Sequence, residues 1–173
     1  MLTKNSLDLD QLLDARAVKL EITGGIPTWE ASSGLRHQWM IRLVERSIRP
    51  SLEAEGECAC ISVADVLIRF KDGSLKRPDI SIFCALPPLQ DEALAVVPQA
   101  VIEVISPGYE YKDVELNPQF YLAQGIDDVL IVDPRSGVVT HYRMAEVNKY
   151  HAPVTIDLQC GCQCTVPQLE ETG

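Results

Sequence analysis

The sequence predicts an α/β fold of mixed α+β character: a central mixed β-sheet flanked by a few helices and opened by an N-terminal β-hairpin. Three observations predict it. Short β-prone apolar runs, such as Ile80-Ser81-Ile82-Phe83 and Val129-Leu130-Ile131-Val132, recur between turn signals. One long stretch, Leu35 to Ala54, carries apolar residues at helical spacing. Between the runs Val101–Ile105 and Val129–Val132 lies a segment with helical residues, which reads as one right-handed crossover between parallel strands.

Residues 1–17 read as an acidic lead-in with one helical turn around Leu7–Leu13. Ala17 to Thr23 alternates as a strand, Gly24-Gly25 makes a tight turn because both residues tolerate positive φ, and Ile26 to Trp29 returns as the partner. Ser32-Ser33-Gly34 is an N-cap region for a helix from Leu35 to Ala54, which Pro50 ends or kinks. Glu57–Val63 and Val66–Phe70 read as strands, with a turn at Lys71-Asp72-Gly73-Ser74. Asp79 opens the next strand, a loop spans Ala85 to Pro98, and Glu103 lies in the strand that follows. Pro107 to Gln124 turns helical late, with Asn117-Pro118 as N-cap and N1 and Gly125 as the C′ stop. Asp133 to Gly137 is a turn between Val129–Val132 and Val138–Arg143, and Tyr150 to Cys164 holds one or two late strands.

Two carboxylates stand out. Glu103 sits among Val101, Ile102, Val104 and Ile105, a run typical of a strand buried on both faces. A buried ionised carboxylate costs several kcal/mol, in order of magnitude, unless it is paired, hydrogen-bonded or metal-bound. Asp79 follows Pro78 at a strand's start. If the two strands adjoin, both acids point at one spot and offer a site to a hard divalent cation. The alternatives are a turn role for Asp79 and an ion pair of Glu103 with Arg69, Lys76 or Arg77.

At 173 residues the chain reads as a single domain, 1–173, able to bury roughly 70% of its unfolded surface. No apolar run approaches the roughly 18 residues of a membrane span, and Met1 to Asp8 has no apolar signal core, so a cytoplasmic protein without a membrane partner is expected. The net charge of -10 argues against a broad basic footprint on DNA. The charge is uneven, however. Arg36, Arg42, Arg46 and Arg49 face only Glu45 within their segment, and Lys71, Lys76 and Arg77 flank Asp79. Six cysteines are present, with Cys58/Cys60 and Cys160/Cys162/Cys164 each spaced by two. Disulfides are not expected in a cytosolic protein, and paired strand positions converge poorly on one ion. Buried free thiols are the expectation, with a zinc site as the alternative.

Several segments fall in a recognisable order: Glu21-Ile22-Thr23-Gly24-Gly25, His37, Arg77-Pro78-Asp79-Ile80-Ser81-Ile82, Pro98, Ile102-Glu103-Val104-Ile105-Ser106-Pro107, Asp113, Tyr121, Gly125-Ile126 and Val129 to Pro134. Together, over about residues 18–143, they resemble a bacterial family of restriction-endonuclease-like proteins. That family is expanded in cyanobacteria, is described as a domain of unknown function, and belongs to the PD-(D/E)XK nuclease superfamily. The resemblance implies a restriction-endonuclease-like core and a Mg²⁺-dependent endonuclease that hydrolyses DNA phosphodiester bonds. It implies that Asp79 and Glu103 hold the metal, with Val104 as a further ligand through its carbonyl, and by analogy that the chain forms a homodimer.

The chain departs from the superfamily at the Lys expected two residues after the Glu, where Ile105 stands. Within the family that Lys moves to the following helix, and the matching position here is Asn117, which is neutral. Lys112, the nearest ammonium in sequence, serves as the catalytic cation if its loop folds back, or else is solvated. Glu45 either assists the metal or pairs with Arg42 or Arg49, and His37 either lines the cleft or packs. The departure motivates an alternative function: an inactive nuclease-fold homologue that binds nucleic acid or protein.

Overall fold

The computed structural model describes residues 18–31, 33–52, 58–108 and 112–170. The N-terminal turn expected around Leu7–Leu13 lies outside them. The opening hairpin forms as expected. Strand β1 (Val18–Thr23) pairs antiparallel with β2 (Ile26–Ala31), and Gly24 and Gly25 turn the corner at φ of 57° and 81°. Helix α1 (Leu35–Ser47) follows from Gly34 without a side-chain cap, burying His37, Met40, Ile41 and Val44.

The helix stops well short of Ala54. Arg49 precedes a proline, which disfavours helical backbone. The chain turns extended at Ile48 and forms β3 (Arg49–Pro50). Strands β4 (Ile61–Ala64), β5 (Ile68–Arg69), β6 (Leu75–Lys76), β7 (Ile80–Phe83) and β8 (Ala100–Val104) come next. A π-helical turn (Lys112–Leu116) runs into α2 (Asn117–Ala123), and Gly125 ends it at φ 87°. Strands β9 (Asp128–Val132), β10 (Val138–Arg143), β11 (Glu146–His151), β12 (Val154–Asp157) and β13 (Cys162–Val166) complete the chain.

A six-stranded sheet in the order β11-β10-β9-β8-β7-β4 is the centre. Its strands pair antiparallel except β8 and β9, which are parallel and joined through α2 as the sequence implies. Side chains alternate across it. Ile80, Ile82, Ile102, Val104, Leu130 and Val132 pack with Met40 and Val44 of α1 and with Ile156, Cys164 and Val166 of the third sheet. Val101, Val129 and Ile131 face the other way, against Tyr121 of α2 and Ile68 and Phe70. A second sheet, β2-β1-β6-β5, carries the hairpin, and a third, β12-β13-β3, lies beside α1.

The cysteines depart from the expectation of free thiols. Cys58 is bonded to Cys84 and Cys60 to Cys162, leaving Cys160 and Cys164 as thiols. Free thiols were expected from a reducing compartment, and the cysteines were expected on strands; Cys58 and Cys60 instead precede β4 and Cys160 lies in the β12–β13 turn, while Cys162 and Cys164 share β13. Among the described residues no helix is long and apolar enough to cross a membrane.

Candidate active site

Antiparallel pairing of β7 with β8 matches Ile80 to Ile102, and one step further along that register places Asp79 beside Glu103. Each acid takes the other strand's backbone. The Asp79 N–H donates to Glu103 Oε2 at 3.2 Å, and the Val104 N–H donates to Asp79 Oδ2 at 2.8 Å. The sheet register thus gathers both carboxylates into one pocket.

Three other elements close around them. From α1, His37 Nε2 lies 3.2 Å from Asp79 Oδ2, while its Nδ1 is buried without a hydrogen-bond partner. From β1, Lys19 Nζ lies 3.5 Å from Asp79 Oδ1. From α2, the Tyr121 hydroxyl donates to Glu103 Oε1 at 2.6 Å, and the Asn117 amide donates to the same oxygen at 3.5 Å. Behind them Lys76 Nζ spans Glu21 Oε2 (3.3 Å) and Asn117 Oδ1 (3.0 Å), and the Arg77 N–H holds Glu21 Oε1 at 2.9 Å.

The electrostatics favour charged forms. Burial raises the Asp79 carboxyl, but the Lys19 ammonium, the His37 hydrogen bond and the Val104 N–H outweigh it and hold Asp79 below the usual carboxylate range. Burial lowers Lys19, but Asp79, Glu103 and Glu21 outweigh it and push the ammonium above its ordinary value. Burial together with Glu103 raises the Tyr121 phenol well above its ordinary value, so it stays a donor.

The donors fit a hard divalent ion of the magnesium type. Among the described residues the oxygen and nitrogen donors of this pocket do not close into a three-ligand group; the groups that do are made of cysteines. Two carboxylates from adjoining strands are the small set such an ion takes when water and phosphate oxygens complete its shell.

The remaining expected site residues are placed as follows. His37 joins Asp79 and also lines a cleft of about 190 Å³ with Arg36, Ile105, Pro107 and Arg135. Asn117 enters the pocket because the helix begins at it, after a π-helical turn, instead of being capped by it. Val104 meets Asp79 through its N–H. Glu45 lies about two turns along α1 from His37, half-buried, and no hydrogen bond or ion pair ties it to this pocket among the described residues. The side chain of Lys112 lies outside what is described.

Lys19, Glu21, Lys76 and Tyr121 were missed as site residues. Lys19 and Glu21 occupy the polar positions of an alternating strand, and polar positions in such a pattern usually face solvent. The structure turns that face inward, and Glu21 is 1% exposed. A signal was present: charged side chains at the same parity as the Glu21-Ile22-Thr23-Gly24-Gly25 segment.

A family model described as "Uma2: Putative restriction endonuclease" matches residues 7–163. The fold is similar to a crystal structure described as a "putative nuclease belonging to DUF820" from Anabaena variabilis ATCC 29413, with a TM-score of 0.58, 20% identity and 80% of each chain covered. At that identity the likeness is one of fold, and the fold is the restriction-endonuclease-like one expected. No curated protein matches the chain.

Proposed function

The chain belongs to the Uma2 family, and from that premise we propose that it is a Mg²⁺-dependent nuclease that hydrolyses DNA phosphodiester bonds at the Asp79–Glu103 pocket. The observation that carries this reading is the mutual exchange of backbone N–H groups that draws the two carboxylates together beside an ammonium. Asp79 and Glu103 would hold the ion, with the Val104 carbonyl as a further ligand. Such an ion polarises a scissile phosphate and lowers the pKa of bound water.

The chain's own residues supply the rest. Asp79 stays ionised at neutral pH. Tyr121 orients Glu103 through the 2.6 Å hydrogen bond. Lys19 takes the role of the Lys absent from position 105 and from position 117. It is the ammonium on Asp79, and its side chain keeps 17% exposure, against 3% for Lys76, which Glu21 and Asn117 hold. It stabilises negative charge that develops on the phosphate oxygens. Arg36 and Arg135, on the cleft that His37 lines, receive the flanking phosphates. Two copies would act together to cut both strands, as a homodimer.

One observation favours a second reading, a nuclease fold that binds without cutting. Neutral Asn117 stands where the family carries its Lys, and protein donors already engage both carboxylates. Incubating the purified chain with supercoiled, linear and single-stranded DNA in Mg²⁺ or Mn²⁺ decides between them. The nuclease reading expects nicking that EDTA stops and that Asp79→Ala abolishes. Failure to cut any of these substrates with either metal leaves the binding reading standing.

A further inference from the structure

We propose that Cys58, Cys84, Cys160 and Cys162 form, when reduced, a tetrathiolate site for a zinc-class cation, which alternates with the two disulfides at the same place. Three segments meet there: the loop before β4, the residue after β7, and the β12–β13 turn. All of them lie outside the carboxylate pocket.

The sulfurs form one cluster with Cys58 at its hub. Its sulfur belongs to two groups whose members all lie within 4.8 Å of one another, Cys58/Cys84/Cys160 and Cys58/Cys60/Cys162. It is bonded to Cys84, and lies 3.4 Å from the Cys162 sulfur. Zinc binds thiolate at about 2.3 Å, so a tetrahedral site spaces its sulfurs by about 3.8 Å. The 3.4 Å between Cys58 and Cys162 and the 4.8 Å limit within each group bracket that value, and Cys58 is the member that the two groups share.

The two crosslinks leave a fifth sulfur, Cys160, within reach of both ends of the Cys58–Cys84 bond. Crosslinking alone gives no role to a thiol in that position; a four-ligand site does. The local backbone also suits a ligand knuckle. Gly161 turns the chain at φ 87° between Cys160 and Cys162. Cys58, Cys84 and Cys160 are half-buried and open to an arriving ion, whereas Cys162 is buried beneath them. An all-sulfur tetrahedral set selects zinc over magnesium or calcium.

The exchange balances. A dithiol reductant gives two electrons and two protons to each disulfide, making two thiols and oxidising the reductant to its own disulfide. The four ligand thiols then release their protons as they bind the cation. An oxidised dithiol in turn removes two electrons per pair, restores the crosslinks and expels the ion.

The test reduces the full chain without oxygen, removes the reductant, and titrates it with Co²⁺ and then Zn²⁺. The expected result is one Co²⁺ per chain with thiolate-to-cobalt charge-transfer absorption, displaced by Zn²⁺, and none for the disulfide-bonded chain. Cys58→Ser loses this absorption; Cys164→Ser, outside both groups, and Asp79→Ala retain it. A fold defect in Cys58→Ser is bypassed by alkylating the wild type and mapping it by mass. Zn²⁺ then protects Cys58, Cys84, Cys160 and Cys162, and chelation restores their reactivity. The proposal is overturned if the reduced wild type shows no thiolate absorption with Co²⁺, or if Zn²⁺ leaves alkylation of these four unchanged.

Discussion

Lys19 carries the most chemical weight of any single side chain missed in the sequence. Its ammonium is the first attractive influence that holds Asp79 below the usual carboxylate range. Lys19→Met is therefore expected to act twice. On the nuclease reading, removing a donor aimed at developing charge lowers kcat by about 100-fold. Removing the positive charge also raises the Asp79 pKa, so the acid limb of the pH–rate profile moves to higher pH. The stability that Asp79 gains from its depressed pKa is present above the ordinary Asp value and is lost as pH falls through the folded value. Rate measurements across pH check both effects, and a rate drop without movement of the limb would place Lys19 away from Asp79 in solution. His37 and Asn117 were legible as candidates through the family resemblance. Their partners were not, because contacts such as Asn117 with Lys76 span distances that no local pattern encodes.

At the scale of elements, the end of α2 and the pairing of β9 with β10 are separately testable. Gly125 lies at φ 87°, and a Cβ there would meet nothing within 4 Å. Gly125→Ala thus isolates the backbone cost of the left-handed conformation, about 1–2 kcal/mol, readable as a lower urea midpoint with an unchanged slope. Asp128, fully buried at the start of β9, accepts from His141 Nε2 at 2.8 Å and Arg143 Nε at 2.7 Å across the strand pair. Burial raises its carboxyl, but these bonds and the Gln159 N–H outweigh burial and lower it. Its contribution is fully present above the ordinary Asp value and fades as pH falls through the lowered one. Asp128→Asn is expected to cost roughly 3–5 kcal/mol at neutral pH and to flatten the loss of stability from neutral pH to below the ordinary Asp value. Urea unfolding at both ends of that range checks it. Most elements were readable because alternation and turn residues are local. The end of α1 was not, since Arg49–Pro50 is extended to pair with Cys162 and Gln163 far along the chain.

For the whole molecule, the net charge of -10 and a cationic cleft set a quantitative expectation. If the proposed function holds, affinity for DNA depends on few phosphate contacts, centred on Arg36 and Arg135 of the cleft. Arg36→Ala and Arg135→Ala, each measured in an Asp79→Ala background to prevent cutting, should each reduce the slope of log K against log salt by about 0.9. Unchanged slopes would move the DNA path elsewhere. The third sheet shows a different whole-molecule effect. Its strands β12 and β13 come last in the chain yet pack against α1 and the face of the central sheet opposite Tyr121. From sequence that segment reads only as one or two late strands, outside the family-like stretch 18–143.

By itself, the sequence determined the hairpin, the parallel β8–β9 unit and the two acids, because period-two alternation, glycine turns and an acid within an apolar run are properties of neighbouring residues. Only the tertiary structure decided which ammonium serves those acids and which cysteines meet. Both are set by strand order and register, which bring Lys19 to Asp79 and Cys162 to Cys60 across long stretches of chain.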